Sequence, residues 1–226
     1  MTFVSLGNIS EMVFEVHSTA LHCLRIFSTR LKQYQNITTL NVSPSLPRAF
    51  DVIAITETHL DGSISDNFLY IDGMKLFRRD RTKCKGGACI MYCAEYLRTT
   101  HRRDLASTDL EIIWAEIKFP TTSALFSVIY RSELECPNFF EDIYGVFEKA
   151  WMKSDSIILL GDFNCDLQGI ESKIGSEIQP KTRRLLTLFQ PFGMQNIVNM
   201  PTRITPGSST LIDLIVTTKP DRANQP

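Results

Sequence analysis

Asp162 and Asn164 stand one residue apart at the end of the run Ile157-Ile158-Leu159-Leu160-Gly161-Asp162-Phe163-Asn164. A carboxylate there could hold a hard cation or activate a water, and a carboxamide can both donate to and accept from a phosphate oxygen. Two further acids sit in or at the ends of apolar runs: Glu57 after residues 51–56, and Asp213 within residues 211–217. Taken singly, each reads equally well as a turn residue, a cap or an ion-pair partner. Together, with Asn41 in a comparable setting, they ask for more, because several carboxylates buried near one another are costly unless a cation neutralises them. An all-oxygen donor set suits Mg²⁺ or Mn²⁺ better than zinc. Magnesium keeps waters and takes only one or two protein carboxylates, which leaves positions for phosphate oxygens and points to phosphoryl chemistry.

These side chains need elements to hold them. Four apolar residues before Gly161 predict a strand buried on both faces, and the glycine lets the backbone come close to a neighbour. In an extended chain, residues two apart project to one side, which would bring Asp162 and Asn164 together. A second buried strand is expected over 51–56, a short one over 38–42, and a last one over 211–217. The middle of the chain predicts strands over 88–92, 111–119 and 124–130 with no helix between them, an antiparallel meander. Apolar spacing predicts an amphipathic helix within 10–35, and a second opened by Pro137 and Asn138 with the stripe Phe139, Phe140, Ile143, Tyr144, Phe147, Ala150 and Trp151. A short helix over 183–192 is stopped by Gly193. Hairpin-linked strands mixed with helices give a two-layer or four-layer α+β arrangement, with sheets packed face to face and helices outside.

At 226 residues the chain can bury one sizeable core, and its 43% hydrophobic and 22% charged residues are ordinary globular composition. A net charge of −1 means that affinity for a polyanion must come from local patches. The six cysteines form no C-x-x-C pair and no zinc-like set, so they read as reduced intracellular thiols. The N-terminus has no signal-peptide pattern and no apolar run reaches the length of a membrane span, so a soluble protein is expected.

Five segments in order carry a family resemblance: Ile55-Thr56-Glu57-Thr58-His59-Leu60; Arg78-Arg79-Asp80-Arg81 followed by Gly86-Gly87-Ala88; Val128-Ile129-Tyr130-Arg131; Leu160-Gly161-Asp162-Phe163-Asn164; and Thr210-Leu211-Ile212-Asp213-Leu214-Ile215. The series resembles the endonuclease/exonuclease/phosphatase superfamily. In detail it resembles the apurinic-endonuclease-like domain of non-LTR (LINE-type) retrotransposons, and Pro201-Thr202-Arg203 suits that subgroup. The resemblance implies an α+β fold, a four-layer α/β/β/α sandwich of two mainly antiparallel sheets flanked by helices, with a divalent metal (Mg²⁺ or Mn²⁺) at the sheet ends. Glu57 would be the principal metal ligand, with Asn41 as the candidate for the family's first-strand asparagine beside it. Asp162 would orient or deprotonate the attacking water, Asn164 would hold that water or the phosphate, and Tyr130 would point its hydroxyl at a non-bridging oxygen. Asp213 matches the family aspartate that orients a catalytic histidine.

The pattern is incomplete. The family ends on a Ser-Asp-His motif, whereas no histidine follows His101 here, and the stretch between Asn41 and Asp51 is too short for the family's first helix. The expectation is a divergent helical segment over 1–37 and an incomplete domain over 38–226, a truncated or spliced copy with impaired hydrolysis. Arg78, Arg79, Arg81, Lys83 and Lys85 suggest a loop that grips DNA phosphates, which Arg203 could extend. The implied partner is DNA, the implied setting nuclear, with a reverse transcriptase domain possible in the parent polypeptide. The alternatives are an inactive relic that at most binds nucleic acid or a protein, and a phosphatase or lipid phosphodiesterase of the same fold.

Overall fold

The computed structural model describes residues 11–19, 22–30, 49–81, 87–132, 138–173 and 177–224. Two six-stranded sheets face each other across the core. The first contains β1 (Glu11–Thr19), β2 (His22–Arg30), β3 (Val52–Thr56), β4 (Met74–Arg79), β5 (Cys89–Ala94) and β14 (Ala223–Asn224), in the order β14-β1-β2-β3-β5-β4. The second contains β6 (Arg98–His101), β7 (Glu111–Lys118), β8 (Ser123–Tyr130), β9 (Ile157–Asp162), β10 (Gln195–Asn196) and β13 (Asp213–Thr217), in the order β10-β13-β9-β8-β7-β6. A small hairpin, β11 (Arg203–Thr205) with β12 (Ser208–Thr210), stands apart from both. This is the α+β sandwich that the sequence predicts. The β6-β7-β8 meander is antiparallel, while β2–β3 and β8–β9 pair in parallel.

The helices α1 (Phe139–Trp151) and α2 (Pro180–Phe189) keep their apolar faces inward. Phe139, Ile143, Phe147 and Ala150 are buried on α1, and the Phe147 ring meets Trp114 of β7 edge-on at 6.4 Å. Leu185, Leu188 and Phe189 anchor α2, with Phe189 edge-on to Phe163 at 5.8 Å. α2 starts three residues earlier than its apolar pattern, because Pro180 at the first position has no amide to satisfy. Gly193, left-handed at φ 61°, ends the following turn as expected.

The N-terminal segment departs from expectation. Residues 11–19 and 22–30 form an antiparallel hairpin, not a helix, and β2 continues the sheet by parallel pairing with β3. Its Val, Ile, Phe and Thr residues satisfy a period of two as well as a helical stripe, and the waiting edge of β3 decides between them. Ile26 and Ser28 are buried beside exposed Arg25, the alternation of a strand. The short strand expected over 38–42, with Asn41, lies outside the described residues. Among the described residues, no helix is long and apolar enough to cross a membrane.

Tyr92 sits inside this core and donates its hydroxyl to the Leu69 carbonyl at 2.8 Å; burial pushes its phenol up to about 12. An unfolded tyrosine ionises near pH 10. The native state therefore holds a proton that the unfolded chain releases, so stability is intact below pH 10 and falls from there towards pH 12. Thermal melts across pH 8–11.5 should show this alkaline loss, and Tyr92→Phe should flatten it.

Candidate active site

Every described non-glycine residue with a left-handed backbone lies at one rim of the sandwich: Glu57 (φ 54°), His59 (φ 55°), Ala88 (φ 71°) and Asn164 (φ 47°). Such conformations cost about 1 kcal/mol or more each and persist where the surroundings fix them, commonly at functional sites. The rim is where β3, β8 and β9 end and where β5, β7 and β13 begin.

A single line of register crosses the second sheet there. Asp213 of β13 lies opposite Asp162 of β9, Asp162 opposite Tyr130 of β8, and Tyr130 opposite Glu111 of β7. Register partners share a face, so these four side chains project together towards the first sheet. Across the gap, Tyr130 Oη donates to Glu57 Oε1 at 2.9 Å. Glu57 and Asp162 therefore meet around one tyrosine although 105 positions separate them in the chain. Burial, then the Glu57 carboxylate, then Asp162 hold the Tyr130 phenol far above its ordinary value, so it remains a donor at any usable pH.

Asp162 is fully buried and accepts the Asn164 backbone N–H at Oδ1, 2.8 Å away. This aspartate-stabilised turn, rather than strand alternation, ties the two residues together. Asn164 Nδ2 donates to the Arg131 carbonyl at 2.8 Å, and Arg131 N donates to the Asp162 carbonyl at 2.8 Å. The Arg131 guanidinium lies over Phe139 and Phe140 at 5.7 and 5.4 Å, tying the loop after β8 to α1. Gly161 is required one step earlier: at φ 142° it packs so closely on Ile129 that a Cβ would overlap the Ile129 carbonyl oxygen.

Asp213 is braced through Thr202, whose buried hydroxyl accepts both Asp213 N at 3.0 Å and Ile212 N at 3.1 Å. The Pro201-Thr202-Arg203 stretch thus has a local purpose that its sequence did not disclose. Glu111 was equally silent. It takes the Ala88 N–H at Oε2 and Arg81 Nε at Oε1, the latter at 2.7 Å. Its one signal is an acid opening an apolar strand, the same signal that marks Asp213.

The basic residues divide. Arg78 and Arg79 lie on the edge strand β4, not on a loop. Arg78 donates to the carbonyls of Ile64 and Asp61 at 2.7 and 3.0 Å and pairs with Asp66 and Asp80, which fastens residues 61–66 to the sheet. Arg79 spans the carbonyls of Ser107 and Thr108, each at 3.0 Å. Arg81 is held by Glu111, while Arg203 is exposed on the β11–β12 hairpin. Lys83 lies outside the described residues.

The donor set of the rim is oxygen from carboxylate, carboxamide and phenol. Its described thiol, Cys89, is fully buried and kept protonated chiefly by that burial. Among the described residues there is no cluster of three or more His, Cys, Asp or Glu side chains suited to a metal ion. Oxygen donors of this kind are those that hard divalent cations take.

A family model described as endonuclease-reverse transcriptase matches residues 124–225, which include Tyr130, Asp162, Asn164 and Asp213. The endonuclease domain of TRAS1, a telomere-specific non-LTR retrotransposon, superposes with a TM-score of 0.62 at 14% identity over 85% of this chain and 84% of that one. The AP endonuclease LMAP of Leishmania major gives 0.60 at 13% identity over 80% and 75%. The 3′ phosphatase NExo of Neisseria, bound to a product DNA hairpin, gives 0.58 at 13% identity over 86% of each chain. A search of curated protein sequences returned no match. The chain therefore has the fold of these nucleases and phosphatases, and over residues 124–225 its sequence matches the family model described as endonuclease-reverse transcriptase.

Proposed function

We propose that this chain hydrolyses phosphodiester bonds in DNA with the help of a divalent cation, as an endonuclease of the retrotransposon kind. The observation that carries the reading is the convergence of Glu57, Tyr130, Asp162 and Asn164 on one rim, joined by the Tyr130–Glu57 hydrogen bond at 2.9 Å. Glu57 would hold Mg²⁺ or Mn²⁺; when bound, the cation would polarise a phosphoryl oxygen and stabilise charge there. Tyr130, held protonated, would donate its hydroxyl to a non-bridging phosphate oxygen. Asn164 has a fixed carboxamide that orients a water or the phosphate. Asp162 is stripped of bulk solvent, so the proton it can take is one from a water held beside it. Asp213 stands next in line as a buried carboxylate on the same rim. A second reading is a chain that binds nucleic acid without cutting it.

Supercoiled plasmid incubated with the 226-residue protein separates the two. Nicking that needs Mg²⁺ and stops with EDTA supports hydrolysis. No nicking above a metal-free control, with DNA still bound, overturns hydrolysis and leaves the second reading.

The DNA contact we assign is Arg203, on the protruding hairpin, with a nuclear site of action and a reverse transcriptase in the parent polypeptide following from the same reading. Arg203→Glu should reduce the slope of log K against log salt by about one with the melting temperature unchanged. Arg78→Ala should leave that slope alone and cost about 2 kcal/mol of stability, because it frees carbonyls and carboxylates from a charged donor.

A further inference from the structure

We propose that Glu111 is a positioning residue that sets the conformation of Glu57 through the backbone at residues 87–88; this rests on the reading of Glu57 as the cation-binding carboxylate. The contacts form a closed circuit. Glu111 accepts the N–H of Ala88 and the guanidinium of Arg81. The carbonyls of Ala88 and Gly87 in turn accept the amides of Thr58 at 3.3 Å and His59 at 2.8 Å. Those two residues follow Glu57, and Glu57 and His59 are both left-handed. Glu57 then receives the Tyr130 hydroxyl, and Tyr130 lies in register with Glu111 on the neighbouring strand.

Four of the five residues from Glu57, His59, Gly87, Ala88 and Thr58 hold φ between 54° and 78°, a conformation that costs a non-glycine residue energy and needs its surroundings to fix it. The Glu111 carboxylate is the side chain that grips this double turn. It also fills the space over Gly87 so closely that a Cβ there would run into it. Its own exposure is 15%, so its hydrogen bonds are made largely away from bulk water and carry more weight than surface contacts. A carboxylate on a different sheet from Glu57 thus acts on Glu57 through the backbone at residues 87–88.

Two variants separate reach from charge. Glu111→Gln keeps an oxygen at the same distance from Ala88 N but loses the charge facing Arg81. Glu111→Asp keeps the charge but withdraws it by one methylene. Amide hydrogen exchange, measured on the full chain without metal, reports on Thr58 and His59 directly. Glu111→Asp should speed exchange at both by about tenfold, with the amides of β9 and β13 unchanged, and Glu111→Gln should stay within about threefold of the unaltered protein. Mn²⁺ affinity should follow the same order, weaker in Glu111→Asp and retained in Glu111→Gln. Unchanged exchange in Glu111→Asp, or faster exchange in Glu111→Gln than in Glu111→Asp, would overturn the proposal. Exchange that responds as expected while none of the three proteins binds Mn²⁺ would support the circuit and overturn the cation reading of Glu57.

Discussion

Gly161→Ala is expected to remove most of the stability of the protein. Gly161 pairs with Ile129 across the parallel β8–β9 ladder, and its φ of 142° is one that an L side chain rarely adopts. An added methyl would overlap the Ile129 carbonyl oxygen, a backbone atom that cannot rotate aside. Relief would require β9 to move away from β8 one residue before Asp162, at the centre of the second sheet. Strain and lost ladder bonds of this kind cost about 3–5 kcal/mol. That is a large share of the 5–15 kcal/mol that holds a typical domain folded. A fall in melting temperature of about 10 °C or more is expected for a chain of this size. Gly145 provides the control, since nothing lies within 4 Å of a Cβ there and it occupies the interior of α1. Gly145→Ala should stabilise by about 0.5–1 kcal/mol. Equal melting temperatures for the two variants would refute the close approach at Gly161.

The second large effect is on chemistry. Asp162→Asn keeps the size of the side chain and an oxygen able to accept the Asn164 amide, so the turn at 162–164 should survive. What it removes is the charge and the capacity to take a proton. If Asp162 handles the attacking water, Mg²⁺-dependent nicking should fall by about 10²–10⁴-fold. The affinity for DNA at a given salt concentration should rise slightly or stay level, because a negative charge has gone from a phosphate-facing rim. Residual nicking equal to the parent rate would assign the water to another group and leave Asp162 as a brace for Asn164.

These effects could be framed early because some features were legible in the chain itself. Glu57, Asp162 and Asp213 sit where apolar runs end or begin, and strands that run through a core must deliver such residues to its rim. The stripe from Phe139 to Trp151 could only be a helix. Gly161 announced a close approach, though not to what. Other features depended on partners far away in sequence. The segment from Glu11 to Arg30 is compatible with either period, and the free edge of β3 made it a hairpin. Arg78 looked like a phosphate grip because its charge is local, while the Asp61 carbonyl and the Asp66 carboxylate, which help to hold it, are brought there only by the fold. Glu111 acts on backbone atoms 23 residues away, a relation that no side-chain pattern encodes. Asp162 and Asn164 were paired for the wrong geometric reason, since an aspartate turn and not strand alternation joins them.

The central expectation for this rim is a divalent cation at Glu57. Mn²⁺ titration followed by electron paramagnetic resonance reads this directly, without depending on turnover. The unaltered protein should show one saturable site, and Glu57→Gln should weaken it by about tenfold or more while the melting temperature in EDTA stays the same. Equal Mn²⁺ affinity in the two proteins would contradict the account.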